Sequence, residues 1–271
     1  MPFKNKTVLI TGASRGIGKS IALKLASFGA NVVIAAKSTT EDERLGGTIY
    51  SAASEVDKAG GKGLPVFCDI RDEKLILELM EKIQSAFGGL DILINNASAI
   101  NLSNTEKIEP KRFDLIQDIN VRGTFMVTKF AYPLLKKSAN PHILTLSPPL
   151  NFDMKWFRPH LAYTMSKFNM SLMTKAWSEE FKRDGIACNS LWPATLIGTA
   201  AIKNLPGGDQ LFLHSRKPEI MAEAASYILR KDKLTTGNQF IDEEVLTAEG
   251  ISNFDEFATT PGAPLQKDLF L

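Results

Sequence analysis

The segment "YTMSK" sets Tyr163 and Lys167 four residues apart, so on a helix they share one face. A phenol with an ordinary pKa of about 10 exchanges protons poorly near neutrality. A neighbouring ammonium favours the phenolate and lowers that value. The pair is therefore suited to general acid/base work on a carbonyl or an alcohol. Such a pair is commonplace on helix surfaces, and its neighbours give it weight. The apolar run 142–147 ends at Ser147, a hydroxyl able to hydrogen-bond a carbonyl oxygen. The run 91–96 ends in "NNAS", bringing the amides of Asn95 and Asn96. Asn120 is a polar residue inside the otherwise amphipathic "IQDINVRGTF".

A second constellation lies near the N-terminus. "TGASRGIG" puts Gly12, Gly16 and Gly18 between the apolar run "TVLI" and a helical pattern from about residue 17. Glycines allow a sharp strand-to-helix turn and close approach of a pyrophosphate to the helix N-terminus. The spacing is G-x-x-x-G-x-G rather than G-x-G-x-x-G. The second apolar strand ends in "IAAKS", with Lys37 where a ribose-binding carboxylate would favour NAD. Lys37 and Arg15 together favour a 2′-phosphate, hence NADP(H) over NAD(H). Asp69 closes the third strand, placed to accept from an adenine amino group.

These residues need a frame. Apolar runs at 7–11, 31–36, 63–69, 91–96, 142–147, 186–192 and 238–242 predict strands. Amphipathic stretches at 17–28, 48–59, 73–87, 111–137, 161–183 and 218–231 predict helices between them. Continuous apolar strands suit a sheet covered on both faces, and strand–helix alternation suits parallel pairing with right-handed crossovers. The expected fold is α/β: a single Rossmann-type doubly wound domain with a seven-stranded parallel sheet flanked by helices. It spans 1–250, and a tail, 251–271, packs on it or on a neighbouring subunit. Two stretches interrupt the alternation. Residues 148–160 carry Pro148, Pro149, Trp156 and Phe157, and 195–217 reads as a lid with a Gly-Gly hinge.

Composition narrows the classes. The 271 residues carry 32 basic and 30 acidic side chains, a net +2 that gives no footprint for nucleic acid. No apolar run is long enough to span a membrane. The N-terminus has no signal-peptide pattern, so the cytoplasm is the default compartment. Cys68 and Cys188 are isolated, and His142, His160 and His214 form no metal motif.

Taken jointly, "TGASRGIG", "NNAS", "INV" followed by Gly123, the serine-ended strand and "YTMSK" resemble, in order and spacing, the short-chain dehydrogenase/reductase family. The resemblance runs through essentially the whole chain. It implies that Tyr163 is the catalytic acid/base. Lys167 would bind the nicotinamide ribose and lower the tyrosine pKa. Ser147 would orient the substrate carbonyl, and Asn120 would hold a water relaying protons from Lys167. The cofactor set would be Gly12, Ser14, Arg15, Gly16, Ile17, Lys37, Asp69, Ile70, Asn95, Ala97, Pro193 and Thr199, together with Tyr163 and Lys167. It also implies a homo-oligomer, dimer or tetramer, through the long helices.

Three departures stand out. "NNAS" puts Ser98 where the family has glycine; Ala194 follows Pro193 where glycine is usual; and the 16-residue separation of Ser147 and Tyr163 exceeds the family's. The expected activity is NADP(H)-dependent interconversion of a carbonyl and a secondary alcohol on an apolar, lipid-like substrate: a ketoacyl derivative, a ketosteroid or an aldehyde. A non-catalytic nucleotide-sensing module and an epimerase or dehydratase are the alternatives.

Overall fold

The computed structural model describes residues 1–271. The elements run β1 (Thr7–Thr11), α1 (Gly16–Ser27), β2 (Asn31–Ala36), α2 (Ile49–Lys58), β3 (Lys62–Phe67), α3 (Glu73–Phe87) and β4 (Ile92–Asn95). Then come α4 (Pro110–Ile116), α5 (Thr124–Leu135), β5 (His142–Leu146), α6 (Met154–Phe157), α7 (Leu161–Glu180) and β6 (Ala187–Trp192). The chain continues through α8 (Ala200–Lys203), α9 (Gly208–Leu213), α10 (Glu219–Ile228), β7 (Gln239–Ile241) and α11 (Asp242–Ala248).

All seven strands are parallel, in the order β3-β2-β1-β4-β5-β6-β7. Successive side chains on a strand point to opposite faces, and here both faces are covered. In β1, Val8 and Ile10 enter a core shared with α1, α2, α10 and α11, while Leu9 enters a core shared with α3, α5 and α7. Strand order reverses direction between β1 and β4. Their carboxyl ends therefore open a crevice, the usual ligand position in such sheets.

The sequence reading and the structure part in several places. The 111–137 helix is broken by a π-helical stretch, Gln117–Gly123, that carries Asn120. Gly123 packs closely there, since a Cβ would lie 2.7 Å from the Ile70 side chain. The 161–183 helix stops at Glu180, where a short 3₁₀ turn leads to Gly185 in the left-handed conformation. Residues 148–160 contain the short helix α6, and 195–217 holds α8 and α9 on either side of Gly207, φ 72°. Helix α11 lacks a sequence expectation; its acidic first turn, Asp242 to Glu244, suits a helix N-terminus.

Candidate active site

The glycine turn joins β1 to α1. Gly12 and Gly16 have φ of 67° and 56°, a region that disfavours any side chain. Chain packs close on two sides of the turn. A Cβ on Gly12 would lie 2.9 Å from Ala97 Cα, and one on Gly18 would lie 2.5 Å from Asn96 Nδ2. Asn96 braces the turn, donating to the Thr11 and Gly12 carbonyls at 2.8 and 3.1 Å. From the lid, Thr199 Cγ2 would lie 3.3 Å from a Cβ on Gly16.

The remaining side faces a cavity of about 580 Å³. Helices α2 and α3 begin with side-chain caps, from Thr48 and Asp72. Helix α1 has none, and no acidic residue lies in its first turn. Its first N–H groups are left for an anion. This is a cradle that fits a dinucleotide pyrophosphate.

Gly12, Ser14, Arg15, Gly16 and Ile17 line this cavity from the turn; Lys37, Asp69, Ile70 and Ala97 line it from the ends of β2, β3 and β4. Pro193 and Thr199 close it from the β6 side, and Tyr163 and Lys167 from α7. At the β2 end, Arg15 donates to Ser38 Oγ at 2.7 Å and to the Gly46 and Gly47 carbonyls at 2.7 and 3.0 Å. Ser38, which lines the same corner, is absent from the residues expected from sequence. Half-exposed Lys37 lies 3.5 Å from Asp69. Asp69 is gripped by Arg71, whose Nη2 and Nε donate to it at 2.5 and 3.0 Å. That contact, more than Lys37, holds its carboxyl down to about 2.

Three predicted residues do not reach the cavity. Ser147 is fully buried, and its Oγ has no hydrogen-bond partner. The chain bends back at the strand end, the Ser147 N–H meeting the Thr145 carbonyl at 2.9 Å. The two prolines that follow fix φ, and the Pro148 carbonyl is tied to Ser171 Oγ at 2.6 Å. The "LSPP" corner thus leaves the Ser147 hydroxyl buried and unpaired. Asn95 is also buried, donating to Thr128 Oγ1 at 3.0 Å, and its neighbour Asn96 lines the cavity instead. The Asn120 side chain is spent within the protein. Its amide accepts from the Ala99 N–H at 2.7 Å and donates to the Ala99 carbonyl and Ser166 Oγ. It ties Ala99 to Ser166 of α7 and makes no hydrogen bond to Lys167.

Tyr163 and Lys167 do share a face and a cavity. The Lys167 ammonium donates to the Leu146 carbonyl at 2.6 Å and sits 5.0 Å over the Trp192 ring. The lowered tyrosine pKa is not what this geometry gives. Burial pushes the phenol above its ordinary range, and nearby Asp268 adds to the rise. Burial brings Lys167 down to about 7, against a smaller opposing pull from Asp268.

The C-terminal segment contributes to that burial. Lys267 bridges Thr195, and Leu196 N–H reaches the Gln266 carbonyl at 2.9 Å. Asp268 N–H donates to the Ala194 carbonyl at 3.1 Å, and Trp192 Nε1 to the Leu269 carbonyl at 2.9 Å. Phe270 is only 1% exposed, with Trp156, His160, Tyr163, Phe168 and Trp192 around its ring at centroid distances of 5.2–6.3 Å. Asp268 and Leu269 line the cavity. Site reasoning from sequence missed both; the one available signal was the apolar character of "LQKDLFL", which marks a docked segment without saying where.

Comparison with known proteins agrees with this architecture. A family model described as short chain dehydrogenase matches residues 6–207. Hydroxysteroid dehydrogenase-like protein 2 of Xenopus laevis is 54% identical over 98% of the chain, and the Homo sapiens protein of that name is 53% identical over the same share. The chain spans 63% of the length of each. A candidate dehydrogenase from Xanthomonas campestris superposes with a TM-score of 0.96 at 47% identity, covering 100% of this chain and 99% of that one. Among more distant structures with this fold, a metagenomic short-chain oxidoreductase was solved with NADP and an NADH-dependent reductase with NAD. No helix here is long and apolar enough to cross a membrane. The chain is a member of the short-chain dehydrogenase family of oxidoreductases.

Proposed function

We propose that this chain is an NADP(H)-dependent oxidoreductase interconverting a carbonyl and a secondary alcohol on an apolar, lipid-like substrate. The observation that carries the reading is one cavity lined both by the glycine turn and by Tyr163 and Lys167. The uncapped start of α1 would hold the pyrophosphate, and Lys167 the nicotinamide ribose. Arg15, Lys37 and Ser38 form a donor-rich corner that suits a 2′-phosphate. When bound, the dinucleotide supplies or receives the hydride.

The raised pKa keeps Tyr163 in its phenol form at neutral pH, a proton donor to a carbonyl oxygen. In the reverse direction it takes that proton back. The Lys167 ammonium, held against the Leu146 carbonyl, offsets the negative charge left on the phenol oxygen. Apolar side chains of Ile100, Leu102, Leu196, Leu205 and Leu211 line the cavity and favour an aliphatic or steroidal body over a sugar.

The test is NADPH consumption across ketoacyl thioesters, ketosteroids, quinones and aldehydes. Turnover that prefers NADPH to NADH and is lost in Tyr163→Phe supports the reading. NADPH binding without turnover would favour a nucleotide-sensing module. Exposed Phe113, Phe125, Met165 and Leu172 on α4, α5 and α7 support assembly of copies through these helices. A 29.8 kDa monomer by light scattering would overturn that part.

A further inference from the structure

A buried ammonium needs something to offset the water it has lost. Lys167 is only 2% exposed, and a lysine has three donors to place. The Leu146 carbonyl takes one of them, and Lys167 is in no ion pair. What lies against the charge is a ring. The Trp192 centroid is 5.0 Å from Lys167 Nζ, within the range of a cation–π contact. Other lysines also lie over rings, such as Lys155 on Trp156 and Lys203 on Phe212, but both are exposed to screening water. The desolvated contact is the stronger kind. The Trp192 ring is itself fixed. Its Nε1 donates to the Leu269 carbonyl at 2.9 Å, and the Phe270 ring lies 5.9 Å away between centroids. Trp192, Lys167 and Tyr163 line the same cavity.

We propose that Trp192 is a positioning residue: its indole face holds the Lys167 ammonium, with its proton, in the cavity wall beside Tyr163. The inference rests on the carbonyl–alcohol reading above, in which that ammonium holds the nicotinamide ribose and offsets charge on the phenol oxygen. Both tasks need the proton on Lys167. Burial works against it, bringing Lys167 down to about 7, and Asp268 pulls the other way. The negative face of the indole adds to that second pull. A carboxylate in its place would also hold the ammonium, but it would repel the negative charge forming on the Tyr163 oxygen. A neutral ring holds the cation without that opposing charge. The titratable groups facing Lys167 are Tyr163 from its own helix and Asp268 from the C-terminal segment. Leu146 from β5 and Trp192 from β6 are uncharged.

The experiment reads the ionisation of Lys167 directly, by NMR of protein labelled at the lysine Cε, with Lys167→Met to assign the signal. Trp192→Leu moves the midpoint down by about one pH unit, and Trp192→Phe, which keeps a ring face, moves it by less. Fluorinated tryptophan, incorporated during expression, drains electron density from the ring face and keeps its shape. It also moves the midpoint down, and it decides the matter if the leucine variant does not fold. Of the three tryptophans only Trp192 carries this lysine. With NADPH and the best carbonyl of the panel, the alkaline fall in kcat moves with the midpoint. The inference is overturned if the fluorinated protein titrates Lys167 like wild type, or if the Phe and Leu variants shift it equally. A midpoint that moves while the kcat profile stays in place also overturns it, since the ring would then act on the lysine and not on the reaction. Wild type that binds NADPH and reduces nothing overturns the carbonyl–alcohol reading and this inference with it. Turnover by wild type with an unmoved midpoint in the fluorinated protein overturns the inference alone.

Discussion

The two walls of the cavity are built in different ways. The glycine-turn wall comes from strand ends and the helix start that follows β1, and its residues are set by register within the sheet. The Tyr163 wall is assembled from α7, the end of β6 and a segment about a hundred residues further along the chain. One is positioned by the main-chain ladder. The other depends on side chains meeting across long loops, and chiefly on Phe270. A local wall tolerates change far from it, whereas an assembled wall fails when any contributor is lost.

The largest expected effect separates chemistry from binding. Tyr163→Phe should cut kcat by about 10³-fold and leave NADPH affinity nearly unchanged. A parallel loss of affinity would mean that the walls are not independent. Next comes the aromatic plug. Phe270→Ala should cost about 3 kcal/mol of stability and lower kcat/KM while sparing NADPH affinity. Calorimetry with a cofactor titration checks this, and an unchanged melting temperature would show that the segment is not needed to assemble the second wall.

Acid should act on the frame beneath both walls. His142 opens β5, and burial pushes its ring down to about 4 from 6.5. A depressed histidine is neutral when folded, so the unfolded chain binds the extra proton. The stability it contributes is full above about 6.5 and is lost as pH falls toward 4, on the order of 1–3 kcal/mol. Urea midpoints at pH 7 and 5 for wild type and His142→Asn measure it; an equal acid shift in both would remove His142 as the cause.

The smallest effect sharpens the first wall. Lys37→Ala should weaken NADPH by about tenfold and leave NADH unaltered, since only the phosphorylated cofactor carries the extra charge. Equal losses with both cofactors would remove the 2′-phosphate reading.

The same contrast explains what sequence could reveal. All seven strands and the glycine turn are legible because apolar runs and positive-φ glycines act locally. Tyr163 and Lys167 are legible for the same reason, a four-residue spacing on one helix. The burial of Ser147 is not, because it depends on how "LSPP" turns after β5, and a shift of one position at a strand end reverses the face. Asn95 and Asn96 illustrate the same parity: one points to Thr128, the other toward Gly12. Asp268 lies 101 positions from Lys167, and no local pattern links them. The Tyr163 pKa is a related case, because spacing shows the nearby ammonium but hides the burial that pushes the phenol up.

Only three tryptophans occur in the chain. Two of them, Trp156 and Trp192, touch Phe270, and Trp192 also lies under the Lys167 ammonium. The third, Trp177, stacks on Phe181 in the opposite core. Two of the three indoles therefore sit against the Phe270 plug, and one of them beside Lys167. Seating of the C-terminal residues, protonation of Lys167 and arrival of a ligand should each change the colour or intensity of their ultraviolet emission, so the molecule carries an optical gauge of its own site without any added label.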